Sequence, residues 1–244
     1  MKLSFVIPAY NEEAYLGKCL ESVLEESKNK GYNLEIIVVN NASTDKTKEI
    51  AQSFPGIKVV DEPQKGLVMA RKAGYLASSG DIIAHIDADT RLPKGWLDKV
   101  FSEFSGNPNL AALSGPYIYY DLPSHVRYFV RLFYYAGYVN HLFNHIVIRK
   151  GAMLQGGNFI VKREAFEKIG GFNLKFDFYG EDTDVAKRIQ KVGKVKFSFD
   201  LPMHTSGRRL KKGGVIVSGI RYAVNHFWTI LFNKPFTKKF RDIR

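Results

Sequence analysis

The sequence predicts an α/β fold: a doubly wound, mostly parallel sheet with helices on both faces, followed by a helical, basic C-terminal extension. Three observations carry this prediction. Short Val- and Ile-rich runs alternate with stretches of helical period along the first half of the chain. The runs are short and mostly apolar, as strands covered on both faces are. The residues that end them are polar or acidic, and in a doubly wound sheet such residues collect on one ligand-binding rim. A length of 244 residues with 45% hydrophobic and 25% charged side chains suits one substantial core.

The chain opens MKLSFVIPAYNEE, in which 3–9 reads as the first strand. Charge follows the apolar run at once, without the longer apolar region and small-residue cleavage site of a secretory leader. A helix is expected over 12–27, stopped near Gly31, then a strand over 34–40. Ser43 or Thr44 caps a helix over 44–53, and 57–61 is the third strand. A helix over 66–78 ends near Gly80, 81–87 is a strand, 94–104 a helix and 110–115 a strand. Helical crossovers between strands imply right-handed parallel connections. Further on, Gly156-Gly157-Asn158 and Gly170-Gly171-Phe172 bracket a short strand and helix. No repeat or linker divides the chain, which predicts one domain over 1–202 and an extension over 203–244. The single cysteine, Cys19, forms no internal disulfide, so a reducing compartment is expected.

The net charge of +12 invites a nucleic-acid reading, but its distribution opposes one. Residues 1–123 hold 13 Lys/Arg against 16 Asp/Glu, and 151–202 hold 9 against 7, so the body is neutral. Residues 124–150 add 4 basic residues and no acidic one, and 203–244 hold 10 basic residues against Asp242 alone. Both segments are also apolar. In the first, Arg127, Arg131, Tyr138, His141, His145 and Arg149 recur at helical spacing opposite Phe129, Val130, Phe133, Val139, Phe143 and Ile146. In the second, 215–232 is an apolar run broken by Ser218, Arg221, Asn225 and His226. It falls short of an uninterrupted membrane span and fits a helix lying in an anionic interface. An ordinary helix packed on the core or on a second subunit is the alternative.

Two constellations carry chemistry. Asp87-Ala88-Asp89 ends an apolar strand and offers hard oxygens to Mg²⁺ or Mn²⁺ shared with a diphosphate. Its alternative is a solvated loop in which Asp89 or Thr90 caps the next helix. Glu181, Asp182 and Asp184 open a helix, where the helix dipole favours acidic residues. Three carboxylates in four residues exceed what capping needs, and one can serve as general base toward a hydroxyl. No dinucleotide-binding fingerprint and no P-loop occurs.

In order along the chain, VIPAYNEE, VVNNASTD, KGLVMARKAG, GDIIAHIDAD, GGNFIVKREAFEKIGGF and YGEDTDVAKRI resemble the motif series of family-2 glycosyltransferases with the GT-A (nucleotide-diphospho-sugar transferase) fold. The resemblance covers residues 2–200 and implies a nucleotide-sugar-binding half over 1–115 and an acceptor-binding half over 116–202. It implies that Pro8, Ala9, Tyr10 and Glu12 touch the nucleoside and that Asn40 stands where an acidic residue usually binds the base. Asn40 is a departure, because an amide carries no charge and can flip. Arg71 matches a residue near the base and diphosphate, although Lys72 replaces the usual Asn. Within Asp87-Ala88-Asp89, Asp89 is implied as metal ligand and Asp87 as the neighbour of ribose and diphosphate. Asp182 matches the proposed base, with Glu181 orienting the acceptor, and His204 is placed to approach the metal or diphosphate.

The chemistry so implied is inverting transfer of a sugar from a nucleotide-diphospho-sugar to an acceptor hydroxyl or phosphate, with Mn²⁺ or Mg²⁺ as cofactor. Arg208, Arg209, Lys211 and Lys212 read as a mobile lid over phosphates or as a basic surface patch. The basic, aromatic segments favour a lipid-linked acceptor, a glycolipid or polyprenyl phosphate, over a free sugar, and a peripheral place at the cytoplasmic face of a membrane. A nucleotidyltransferase would carry a Gly-rich basic loop where this chain has Ala9-Tyr10-Asn11-Glu12-Glu13. A nucleotide-sugar-binding homologue without catalysis and a basic nucleic-acid-binding protein are the remaining alternatives.

Overall fold

A computed structural model describes residues 1–143 and 153–237. Its central sheet has seven strands in the order β3-β2-β1-β4-β8-β6-β9. These are β1 (Lys2–Ala9), β2 (Asn33–Asn40), β3 (Ile57–Asp61), β4 (Ile82–Ile86), β6 (Leu110–Ser114), β8 (Asn158–Lys162) and β9 (Lys194–Phe197). β1 lies between β2 and β4, parallel to both, and β3 and β9 also pair in parallel with their neighbours. β8 alone among these runs against its neighbours, β4 and β6. The predicted doubly wound, mostly parallel sheet is therefore the observed one.

The first strand shows why its run is mostly apolar. Leu3, Phe5 and Ile7 face one side, where they pack on Leu16, Leu20 and Val23 of α1 (Leu16–Ser27) and on Trp96, Leu97 and Val100 of α4 (Trp96–Gly106). Val6 faces the other side with Ile83, Phe159 and Phe166, alongside α3 (Leu67–Ala77), α6 (Arg163–Lys168) and α7 (Glu181–Ile189). Period-two alternation thus puts a covered apolar group on both faces. Gly74 lets α3 lie this close, since a methyl group there would strike Val6 and Val39.

Helix ends differ from expectation for local reasons. α1 starts at Leu16, because Asn11 adopts a φ of 50° and the amides of Tyr15 and Leu16 turn back to the Glu12 carbonyl. α2 (Thr47–Gln52) is shorter than 44–53, because the Asp45 carboxylate accepts the Thr47 amide at 3.0 Å and holds Asp45 outside the helix. Gly95, at φ 85°, sets the entry to α4.

A second sheet went unread in the sequence. β5 (Thr90–Arg91), β10 (Met203–Thr205) and β7 (Tyr117–Tyr119) are too short to leave a period, and they pair in the order β5-β10-β7. The chain beyond residue 202 thus contributes β10 to the body before entering α8 (Arg208–Gly213) and α9 (Val215–Phe232). The first basic segment forms α5 (Ser124–Phe143). Tyr134 and Tyr138 of α5 pack on Phe197, and Tyr135 stacks on Phe199 at 4.6 Å. Arg127 and Arg131 are exposed, but so are Tyr128, Phe129 and Phe133, which leaves no clean division of faces. The side chains of Val139, His141 and Phe143 are outside the described ones, and His145, Ile146 and Arg149 lie outside the described residues.

α9 covers the predicted apolar run. Among the described residues it is the one helix long and apolar enough to cross a membrane, with mean hydropathy 1.2. Its burial is inverted: Ser218, Asn225 and Thr229 are buried, whereas Ile216, Ile220 and Leu231 are 77%, 60% and 70% exposed.

Candidate active site

The ends of β1 and β4, the N-termini of α3 and α7, and the turn before β8 meet at one rim. Arg71 of α3 stands at its centre with its side chain 1% exposed. One terminal nitrogen donates to Glu181, and the other to Asp87 at 3.0 Å and to the Gly156 carbonyl. Burial opposes its charge, but Glu181 and Asp87 outweigh burial and raise its pKa, so it stays a cation. Arg71 thereby ties the acidic residue after β4 to the one that opens α7, two motifs nearly a hundred residues apart in the chain.

Asp87 also accepts the Tyr117 hydroxyl at 3.1 Å. Behind it Gly157 has no room for a side chain, because a methyl group would occupy the space of the Asp87 carboxylate and the Tyr117 hydroxyl. Asn158 fixes that turn: its amide donates to the carbonyls of Gly115 and Leu201 and accepts the Trp96 indole N–H at 3.2 Å. Ala88 is buried between the two acids. Asp89 pairs with Arg208 at 3.0 Å, and the same guanidinium reaches the buried Glu12 at 2.5 Å. Arg208 thus bridges the loop after β1 to the loop after β4, so α8 is docked on the rim.

Across the Arg71 bridge, burial raises the pKa of the Glu181 carboxyl and the adjacent guanidinium pulls against it. Asp182 is half-buried, and its Oδ1 accepts the Thr183 amide at 2.7 Å and hydroxyl at 3.3 Å. Burial raises its pKa above the usual aspartate value. The Thr183 hydroxyl also meets His226 Nδ1 of α9 at 3.0 Å.

Pro8, Ala9 and Tyr10 line a cavity of about 220 Å³ together with Asn41, Lys65 and Phe178. Lys65 lies over the Tyr10 ring at 4.4 Å and donates to its hydroxyl at 2.7 Å. Asn41 pins the approach to α3, accepting the Gly66 amide and donating to the carbonyls of Glu62 and Gln64. Asn40 is buried outside this cavity, its amide nitrogen bonded to Asp61 at 2.8 Å and its carbonyl accepting the Ser43 amide at 3.3 Å. Those partners fix which way the amide faces, removing the flip that sequence left open.

The structure therefore brings together Pro8, Ala9 and Tyr10 on the cavity, and Glu12, Arg71, Asp87, Ala88, Asp89, Glu181 and Asp182 around the buried cations. It does not bring His204 to Asp89. Thr205 reaches Asp89 at 3.4 Å, and strand alternation turns His204 to the opposite face beside Arg91, where burial lowers its pKa. Tyr117, Lys65, Phe178 and His226 were not singled out from sequence as site residues. Lys65 could have been, since it stands in the KGLVMARKAG motif; the other three arrive through tertiary packing alone.

The residues present fit a divalent cation only in part. Asp87 and Asp89 supply hard carboxylate oxygens, and the Arg208 guanidinium between Glu12 and Asp89 marks the spot as one that holds positive charge. Among the described residues no group of three or more His, Cys, Asp or Glu side chains is arranged as a complete site. Such a donor set matches a cation whose remaining ligands come from a diphosphate.

Comparison with known proteins gives the family and the fold. The family model for glycosyl transferase family 2 matches residues 4–170, and that for the N-terminal domain of galactosyltransferase matches 146–207. Glycosyltransferase AglE of Haloferax volcanii is 29% identical over 220 residues, covering 86% of this chain and 70% of that protein. Dolichyl-phosphate beta-glucosyltransferase ALG5A of Trichomonas vaginalis is 40% identical over 97 residues, 36% of this chain and 30% of its own length. The mannosyltransferase PcManGT of Pyrobaculum calidifontis, solved with GDP-Man and Mn²⁺, superposes with a TM-score of 0.71 at 21% identity, over 94% of this chain and 64% of its own. This chain thus spans less than two thirds of the latter two proteins.

Proposed function

The chain belongs to glycosyl transferase family 2, and from that premise we propose that it is an inverting, metal-dependent glycosyltransferase moving a sugar from a nucleotide-diphospho-sugar to a lipid-linked or membrane-proximal acceptor. The observation that carries the proposal is the Arg71 bridge, because it holds a donor-side acid and an acceptor-side acid in one site. On this reading residues 1–115 hold the donor and 116–202 the acceptor, with 203–244 as a basic extension.

The nucleoside enters the cavity beside Pro8, Ala9, Tyr10 and Lys65. Glu12, Asn40 and Arg71 act from behind, by fixing loops and carboxylates. Asp87 faces ribose and diphosphate; Asp89 would hold Mn²⁺ or Mg²⁺, and Arg208, which is paired with it, stands beside the phosphates. The bound cation neutralises charge on the departing diphosphate. An acceptor hydroxyl attacks the anomeric carbon as the bond from that carbon to the phosphate oxygen breaks. The electron pair leaves with the nucleoside diphosphate, Asp182 takes the hydroxyl proton, and Glu181 orients the acceptor. Attack opposite the leaving group inverts the anomeric carbon.

The membrane part of the proposal rests on α9. Its polar groups face the body and its apolar ones face outward, the reverse of a helix meeting water. The exposed Tyr128, Phe129, Leu132 and Phe133 of α5 add a second apolar strip with Arg127 and Arg131 beside them. Because α9 is hydrogen-bonded to α7, it suits a helix lying in the interface of the cytoplasmic leaflet. A dolichyl-phosphate enzyme among the relatives is in keeping with a polyprenyl-phosphate or glycolipid acceptor.

The test is a thermal-shift and donor-hydrolysis panel of UDP-, GDP- and dTDP-sugars, with and without Mn²⁺, on wild type and Asp89→Ala. Stabilisation by one nucleotide family that needs Mn²⁺ and is lost in Asp89→Ala is the expected result. Stabilisation without turnover would mark a donor-binding homologue lacking catalysis.

A further inference from the structure

We propose that His226 is a positioning residue for Asp182, so that α9 completes the acceptor side of the site; the inference rests on Asp182 being the base.

The argument starts from hydrogen-bond accounting. The Thr183 hydroxyl has one proton and two neighbours, Asp182 Oδ1 at 3.3 Å and His226 Nδ1 at 3.0 Å. A carboxylate is the stronger acceptor, so the hydroxyl proton goes to Asp182. The hydroxyl oxygen must then accept from His226, which fixes the imidazole as the tautomer carrying its proton on Nδ1. Asp182 Oδ1 now holds two donors, the Thr183 amide and hydroxyl. Its other oxygen, Oδ2, points toward Gly156, where a methyl group would stand 3.3 Å from it. Gly156 lies in the turn whose carbonyl Arg71 grips, so Oδ2 faces the reacting centre and is the oxygen left to take a proton.

The rest of α9 is built to hold this contact. Lys187 of α7 donates to the Ile230 carbonyl at 2.6 Å and to Asn233 at 2.8 Å. The Asn225 amide ties Thr237 back onto the helix through two bonds, and Thr229 lies against Gly180, the residue before Glu181. Tyr222 packs its ring on Tyr179 at 6.0 Å. His226 and Thr229 on the inner side of α9 therefore meet the start of α7, while Lys187 holds the later part of α9 to the last turn of α7.

Two measurements test the proposal. In ¹⁵N-imidazole spectra, His226 should carry its proton on Nδ1, and that signature should change in Thr183→Val. An Nε2 proton, or spectra indifferent to Thr183→Val, overturns the link. In donor hydrolysis with GDP-mannose and UDP-N-acetylglucosamine, each with Mn²⁺, His226→Leu should lower kcat about tenfold with donor KM unchanged. His226→Asn, which keeps a donor near the Nδ1 position, should restore most of it, and His226→Leu should add little to Thr183→Val. Equal losses in the Asn and Leu variants, or a change in KM alone, would show a structural role only. Full turnover in Asp182→Asn would sink the assignment of the base itself, and it leaves the spectroscopic link standing or falling separately.

Discussion

Gly157 shows how far single positions are dictated by the chemistry beside them. The space of its absent side chain holds the Asp87 carboxylate and the Tyr117 hydroxyl, so Gly157→Ala must displace one of them. Mn²⁺-dependent stabilisation by donor should then be lost from a protein whose far-UV circular dichroism is unchanged. Asp182 makes a pH prediction. As the proposed base it acts when deprotonated, and burial raises its pKa, so turnover should climb with pH along a limb lying above the ordinary aspartate value near 3.8. In Asp182→Asn turnover should fall by about 10²- to 10⁴-fold. Cys19 is fully buried with its thiol pushed up to about 12 by burial, and it should resist iodoacetamide at neutral pH until the protein is unfolded. The acidic residues of this site were legible in sequence because they stand at fixed places after strands and before a helix. Tyr117 and His226 were not, since nothing in their local sequence records which carboxylate or threonine they meet.

Elements were legible where burial imposes a period. β1, β2 and β4 are mostly apolar because both sheet faces are covered, and a run of that kind needs no neighbour to be recognised. The two- and three-residue strands of the small sheet leave no such mark. β8 reads as a strand, but its antiparallel sense comes from the route of the chain and not from its residues. α9 was legible as an apolar run, whereas its inverted burial required the packing. That inversion makes a prediction of its own. Charging the outward face with Ile220→Asp and Phe227→Asp should leave the melting temperature in solution unchanged or higher. The same change should weaken binding to vesicles of anionic lipid by about a hundredfold.

At the scale of the molecule, a neutral body carries two basic and apolar segments. Long-range attraction to an anionic surface should therefore dominate the encounter, and sedimentation with anionic vesicles should fall as salt is raised. The Debye length shortens from about 10 Å at 0.1 M to about 3 Å at 1 M. Retention at high salt would indicate that apolar insertion prevails, and binding to neutral vesicles at any salt would remove the electrostatic part of the account.

The Arg71 bridge bears on how such a protein can be recombined. A guanidinium sealed away from water, with one counterion after β4 and the other at the start of α7, makes the two halves of the chain mutually dependent. Exchanging the proposed acceptor half for that of a relative should succeed when the incoming segment brings its own acid to the Glu181 position; otherwise Arg71 keeps Asp87 but loses its buried counterion, which costs stability. On the proposed reading, new acceptor preferences are to be sought in loops and in α9, while Arg71 and the acid at position 181 have to travel as a matched pair.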